Sequence, residues 1–212
     1  MNLTSTRFRG RATEHAPIVF LMLFLRTPGE DTIRRFLQGQ ADQPFSYSEV
    51  GASRSAAPAG YTVDHNRVEL GRGAAVFARA VEALKRWEMF NLGWIQLCWP
   101  DAPVAIGTQV AVMVRHLGFY SLNACRVVYV VDDNVPLRTY GFAYGTLPDH
   151  AEQGEERFTI EWQSDDSVWY EIFAFSRPNQ FLAKAGYRVT RRLQRRFAAD
   201  SKRAMLRAIS AV

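Results

Sequence analysis

Carboxylates set among aromatic side chains are the residues of this sequence best placed to do chemistry, and they concentrate between Tyr140 and Pro178. The segment from Thr146 to Arg157 gathers Thr146, Asp149, His150, Glu152, Glu155, Glu156 and Arg157. One histidine among several acids suits acid–base work or a cation. A metal centre of the usual kind wants a second histidine or a regular ligand spacing; neither is present, so no metal and no cofactor are expected. The plainer reading of the segment is a loop whose polar groups satisfy one another and the backbone. Tyr144-Gly145-Thr146 lacks the glycine spacing and the lysine of a phosphate loop, and Gly145 marks a bulge or a close backbone approach. Ser176-Arg177-Pro178 brings a hydroxyl and a guanidinium to a strand end, where they could reach a ligand or cap the strand.

Glu171 is a candidate of another kind. If Asp165-Asp166 is a two-residue turn, Trp162 stands opposite Trp169, Ile160 opposite Glu171, and Phe158 opposite Phe173. Glu171 then lies in an aromatic face, which raises a carboxyl pKa unless a cation or several donors hold it charged. Two readings stay open: a ligand-facing acid, or an acid paired with an arginine of the last helix or wet at an edge. The candidate ligand-contacting residues are Tyr144, Thr146, His150, Glu155, Glu156, Glu171, Ser176 and Arg177. None is given a catalytic role. Cys98 and Cys125 have neither disulfide-framework nor zinc spacing, and no Gly-x-Ser-x-Gly elbow occurs.

Strands must carry most of these side chains. Tyr140, Phe142 and Tyr144 alternate with Gly141, Ala143 and Gly145, and Phe158, Ile160 and Trp162 form a second alternating set that Ser164-Asp165-Asp166-Ser167 turns back into Val168–Ser176. Earlier strands are expected at Ile18–Leu25, around Tyr61, Val63, Val68 and Leu70 with a turn at Asp64-His65-Asn66, over Val110–Val114, and through Val127, Tyr129 and Val131. Thr27, Pro28 and Glu30 predict a capped helix to about Gln38 with Ile33, Phe36 and Leu37 inward. Val76, Phe77, Ala80, Val81, Leu84 and Trp87 make one stripe of a helix over Ala74–Phe90. A last helix from Tyr187 to about Ile209 places Val189, Leu193, Phe197, Ala204, Met205, Ala208 and Ile209 on one side. Phe45 to Gly60 reads as an ordered loop anchored by Phe45, Tyr47 and Tyr61.

The expected fold class is α+β: a curved antiparallel sheet of about six strands packed against a long C-terminal helix and one or two others on one face, helix-grip-like. Residues 1–16 read as a mobile tail and 17–212 as a single domain. The net charge of +5 is carried by the segment after Gly186, where Arg188, Arg191, Arg192, Arg195, Arg196, Lys202, Arg203 and Arg207 face one acid, Asp200. Such a face is more often solvated than bound to nucleic acid, which is not expected as a partner. The longest apolar run, Ile18–Leu25, is far short of the roughly 20 residues of a transmembrane span, and a reducing cytoplasmic setting is expected.

Several blocks carry a resemblance in order: PFSYSEVG, GYTVDHNRVELGRG, RWEMFNLGW, NACRVVYVVDD, YGFAYGTLPDHAEQGEERF, SVWYEIFAFSRP and RRLQRRFAADS. Together they resemble the domain of unknown function family nineteen-ninety over roughly Leu21 to Ala208. The resemblance implies a relation to the helix-grip, lipid-transfer-like superfamily and no catalytic residue. The function that follows is binding of a small apolar or amphipathic ligand between sheet and last helix. The alternatives are an enzyme acting on such a ligand through residues 146–157, and an anionic partner, nucleic acid or membrane surface, held by the basic helix.

Overall fold

The computed structural model describes residues 22–135, 137–179 and 186–210. The expected N-terminal tail, and Ile18–Leu21 of the expected first strand, lie outside them.

Alternating side chains build one antiparallel sheet from β1 (Met22–Phe24), β2 (Thr62–Arg72), β3 (Ile95–Cys98), β4 (Gln109–His116), β5 (Phe119–Asp133), β6 (Arg138–Thr146), β7 (Glu152–Trp162) and β8 (Ser167–Pro178). The strand order is β2-β8-β7-β6-β5-β4-β3, with β1 joined to β5 beside this path. The expected turn at Asp64-His65-Asn66 does not form. Each of the three residues pairs with β8, opposite Ala174, Phe173 and Ile172, so ladder pairing overrides their turn-forming composition. Extra residues bulge β2 between Glu69 and Gly71 and β5 between Val127 and Tyr129. Bulges strengthen the local twist, and the sheet curls into a half-barrel.

The β7–β8 turn corrects the expected register. Gln163 N–H donates to Ser167 O, so three residues, Ser164-Asp165-Asp166, make the turn, and Asp166 takes left-handed backbone at φ 71°. A three-residue loop that ends in a left-handed residue adds one position to a two-residue hairpin. Trp162 therefore faces Val168, Phe158 faces Ile172 and Thr159 faces Glu171. Every side chain of β8 is on the face opposite to the expected one.

The concave face, with Phe142, Phe158, Ile160, Tyr170 and Ile172, packs against α2 (Ala74–Lys85) and α3 (Tyr187–Ser210). α2 stops short of the expected Phe90. Trp87 turns the chain with φ 57°, stays buried, and donates its indole N–H to Ala102 O at 2.8 Å; a single tight helical turn, Glu88–Phe90, follows. The outer face is covered too, against the expectation of helices on one face. α1 (Glu30–Gly39) lays Ile33 and Phe36 on Ala111, Met113, Leu122 and Ala124. Its N-cap is Gly29 rather than Thr27, without a side-chain cap; Glu30 and Asp31 in the first turn suit the positive end of the helix dipole.

α3 buries Ala198 at its middle and Ser201, Ala204, Met205 and Ile209 in its second half. In its first half Phe197 meets the rings of Phe90 and Phe158, with centroids 5.3 and 6.4 Å away. A long helix held in the curl of an antiparallel sheet is the helix-grip arrangement. Since apolar contact holds it, Phe197→Ala should lower the free energy of unfolding by about 1.5–3 kcal/mol. Arg195→Ala, on the solvent side, should change it little. Equal effects in a urea titration would contradict this account.

Candidate functional site: a cavity under the last helix

Between the first half of α3 and the concave sheet lies a cavity of about 400 Å³. Its walls are largely apolar: Ile95, Val112 and Val114 on one side, Ile172 on the floor, and Val189, Leu193 and Phe197 from α3 above. Pairing across four strands sets one row of the floor, Asp64 (β2), Ala174 (β8), Glu156 (β7) and Tyr144 (β6). Ala174 is the small member, and the space opens above it.

Glu156 accepts a hydrogen bond from the Tyr144 hydroxyl at 2.7 Å. Burial pushes its carboxyl up to about 7, against the Tyr144 hydrogen bond and with help from the Asp64 charge. Tyr144 itself is raised, by burial first and by Glu156 next. Two residues apart on a strand means the same face, so Glu152, Gly154 and Glu156 share the floor. Glu152 is 8% exposed, and its Oε1 has no hydrogen-bond partner among the described residues. Burial pushes it too up to about 7, opposed by the Ser176 hydroxyl and Arg191.

The expected candidates separate clearly. Tyr144, Thr146, His150, Glu156 and Ser176 line the cavity. Thr146 is engaged with the neighbouring strand: its hydroxyl accepts Gly154 N–H at 2.9 Å and lies 2.6 Å from Ser46 Oγ. His150 Nδ1 accepts Glu152 N–H at 2.9 Å, which leaves Nε2 as the protonated nitrogen of a neutral ring; burial pushes its pKa down to about 4. At neutral pH the ring is uncharged, and its Nδ1 lone pair is engaged by that backbone N–H. Ser176 Oγ accepts from Gln194 Nε2 at 3.0 Å, and Gln194 Oε1 accepts from Arg191 at 2.6 Å. Arg191 in turn grips both carboxylate oxygens of Asp64, tying α3 to β2.

Three candidates are committed elsewhere. Glu155 borders the cavity, but its carboxylate belongs to the loop on the outer face. It accepts from Tyr47 Oη at 2.6 Å, Gly51 N–H at 2.7 Å, Ser53 N–H at 3.0 Å and the Ser53 hydroxyl. Gly145 permits this, since a Cβ there would collide with the Tyr47 hydroxyl. Glu171 is turned to the outer face by the register described above. It pairs with Arg157 at 2.7 Å and His65 at 3.0 Å, not with an arginine of α3. Burial alone would raise its pKa; His65 and Arg157 outweigh that and lower it. Arg177 lies over the Tyr61 ring, 4.5 Å from its centroid, and donates to Gln153.

Polar wall residues outside the expected ligand contacts include Glu152, Asp64, Asn66, Asn123 and Gln194. Alternation alone separates Glu152 and Glu156 from Glu155; Asp64 and Asn66 were hidden by the expected turn. Among the described residues no group of three or more His, Cys, Asp or Glu is arranged to hold a metal ion. On α3, Arg191 is matched by Asp64, and Arg196 and Arg203 by Asp200, so part of the basic face is neutralised.

Comparison with known proteins adds the family. Residues 46–204 match the family described as domain of unknown function DUF1990. The chain belongs to that family. It is similar to a UPF0548 protein of Dictyostelium discoideum, 33% identical over 89% of this chain and 96% of that one. A UPF0548 protein of Deinococcus radiodurans is 34% identical over 88% and 98%. Among solved structures it is similar to Ara h 8.0201, with TM-score 0.45 and 11% identity over 72% of this chain and 100% of that one. Human STARD10 gives TM-score 0.42 and 11% identity over 87% and 80%. The DUF1990 match takes in the loop held by Glu155, all of β2 to β8, and α3 as far as Ala204.

Proposed function

We propose that this protein binds one small molecule with an apolar body and a polar end in the cavity between the sheet and α3. The observation that carries the reading is a space of about 400 Å³ with apolar walls and a few polar groups, chiefly the Glu156–Tyr144 pair, on its floor. Sites for small molecules are of this kind, about 300–1,000 Å³, mostly apolar, with a small number of placed polar groups. Tyr144, Thr146, His150, Glu156 and Ser176 are the proposed contacts, joined by Glu152. The compartment we propose is the cytoplasm.

Ala174→Phe tests this without removing any polar group. The ring would fill the space above the floor, so binding of 1-octanol, followed by calorimetry, should weaken by about tenfold or more, the equivalent of 1.4 kcal/mol. The variant should still unfold cooperatively. Octanol affinity equal to that of the unaltered protein would place binding outside the cavity and overturn the proposal.

A further inference from the structure

The charges around the cavity are one-sided. Among the described residues that line it there are four acids, Asp64, Glu152, Glu155 and Glu156, and no lysine or arginine. Asp64 is matched by Arg191, and Glu155 is saturated by donors of the outer loop. His116 and His150 are driven towards the neutral form by burial and bring no compensating charge. Glu152 and Glu156 therefore remain. Glu156 has one oxygen on the Tyr144 hydroxyl, and its other oxygen has no hydrogen-bond partner among the described residues. Glu152, more than nine-tenths buried, leaves Oε1 without a partner in the same wall.

We infer that the polar end of the ligand is a protonated amine, received by the carboxylate of Glu156 with that of Glu152 further along the same strand face. This rests on the cavity being a binding site, as proposed above. An anionic head, carboxylate or phosphate, would find neutral hydroxyls and amides but no lysine or arginine among the described lining residues, and the Glu152 and Glu156 carboxylates would repel it. An alcohol would offer a single donor. An ammonium offers three donors and the opposite charge, and it stabilises the ionised form of a carboxyl that burial alone makes costly to ionise. Ile172, Leu193 and Phe197 leave the remainder of the ligand an apolar bed.

Three probes of one length separate the possibilities: 1-octylamine, 1-octanol and octanoic acid, titrated by calorimetry at about pH 8, where an alkylamine is protonated. The amine should bind at least about tenfold more tightly than the alcohol, as expected for a hydrogen bond to a charged group. The acid should bind most weakly. Glu156→Gln should remove the amine's advantage over the alcohol. If the alcohol binds and the amine has no advantage, or the acid binds best, the amine assignment falls while the cavity reading stands. If none of the three binds, both fall. An amine preference that survives in Glu156→Gln overturns the assignment to that residue.

Discussion

Replacing Glu155 with alanine will unfasten the loop between Phe45 and Gly60 and lower the free energy of unfolding by about 3–5 kcal/mol. The carboxylate is 2% exposed and is the common acceptor for Tyr47, Gly51 and Ser53. Without it, buried donors lose a charged partner, each at a cost of about 1–3 kcal/mol, and the loop recovers part of that only by opening to water. Tyr47 would then leave its seat over Gly145, taking its edge contact with the Phe175 ring, 5.8 Å away, with it. Urea denaturation measures the loss, and limited proteolysis should show new cleavage within the loop. A change below about 1 kcal/mol, with the loop still resistant, would mean that the aromatic contacts alone secure it.

Glu156→Gln works in the opposite direction and depends on pH. In the folded protein this carboxyl titrates at about 7, against an ordinary value of 4.5. Below the ordinary value it is protonated in both states and the substitution should be nearly neutral. As pH rises from there, the unfolded chain releases the proton while the folded protein keeps it, so the unaltered protein loses stability through the window up to about 7. The full difference is about 3 kcal/mol. The glutamine keeps an acceptor for the Tyr144 hydroxyl and never has to ionise. The variant should therefore match the unaltered protein near pH 4.5 and exceed it by up to about 3 kcal/mol at pH 8. Tyr144, on the adjacent β6, favours the charge of Glu156 through its hydrogen bond, and Asp64, two strands away on β2, disfavours it less than burial does. The lowered carboxyls of Glu171 and Asp200 act on the other limb: what they contribute is present above their ordinary values and lost as pH falls through the folded ones. Urea titrations from about pH 3 to 8 separate the limbs. A glutamine variant less stable than its parent at the upper end would show that Glu156 is held in its charged form.

What the sequence makes legible follows from where a local rule and the tertiary contact agree. The stripe through Phe77, Ala80 and Leu84, the alternation of β6 and β7, and the long basic last helix all satisfy local periodicity and global packing together, and all are found. The helix-grip shape was accessible for the same reason, whereas the family was legible only through the resemblance of sequence blocks in order. Glu171 shows where this stops. Its face depends on whether a turn holds two residues or three, and the left-handed backbone of Asp166 that decides this has no sure mark in an Asp-Asp pair, since aspartate tolerates that conformation without requiring it. Asp64 and Asn66 were obscured by their own composition, which suits turns, whereas here they sit in a strand that the β8 ladder holds straight. Glu155 and Glu156 fall together when Thr146–Arg157 is read as a loop, but from Glu152 onward that segment is β7. Neighbours in a strand face opposite ways, and one acid fastens a loop while the other faces the cavity.

The half-barrel does not close, and that has a consequence for how copies of the chain meet. β2 and β3 end the strand path, each pairing on one side only among the described residues. Exposed backbone along such margins invites a further strand from another molecule. β3 is four residues long, and β2 is studded with Asp64, His65, Arg67, Glu69 and Arg72 and kinked near Gly71. Brevity on one margin, and ionic, irregular backbone on the other, make both poor templates for sheet extension and guard the chain against aggregation.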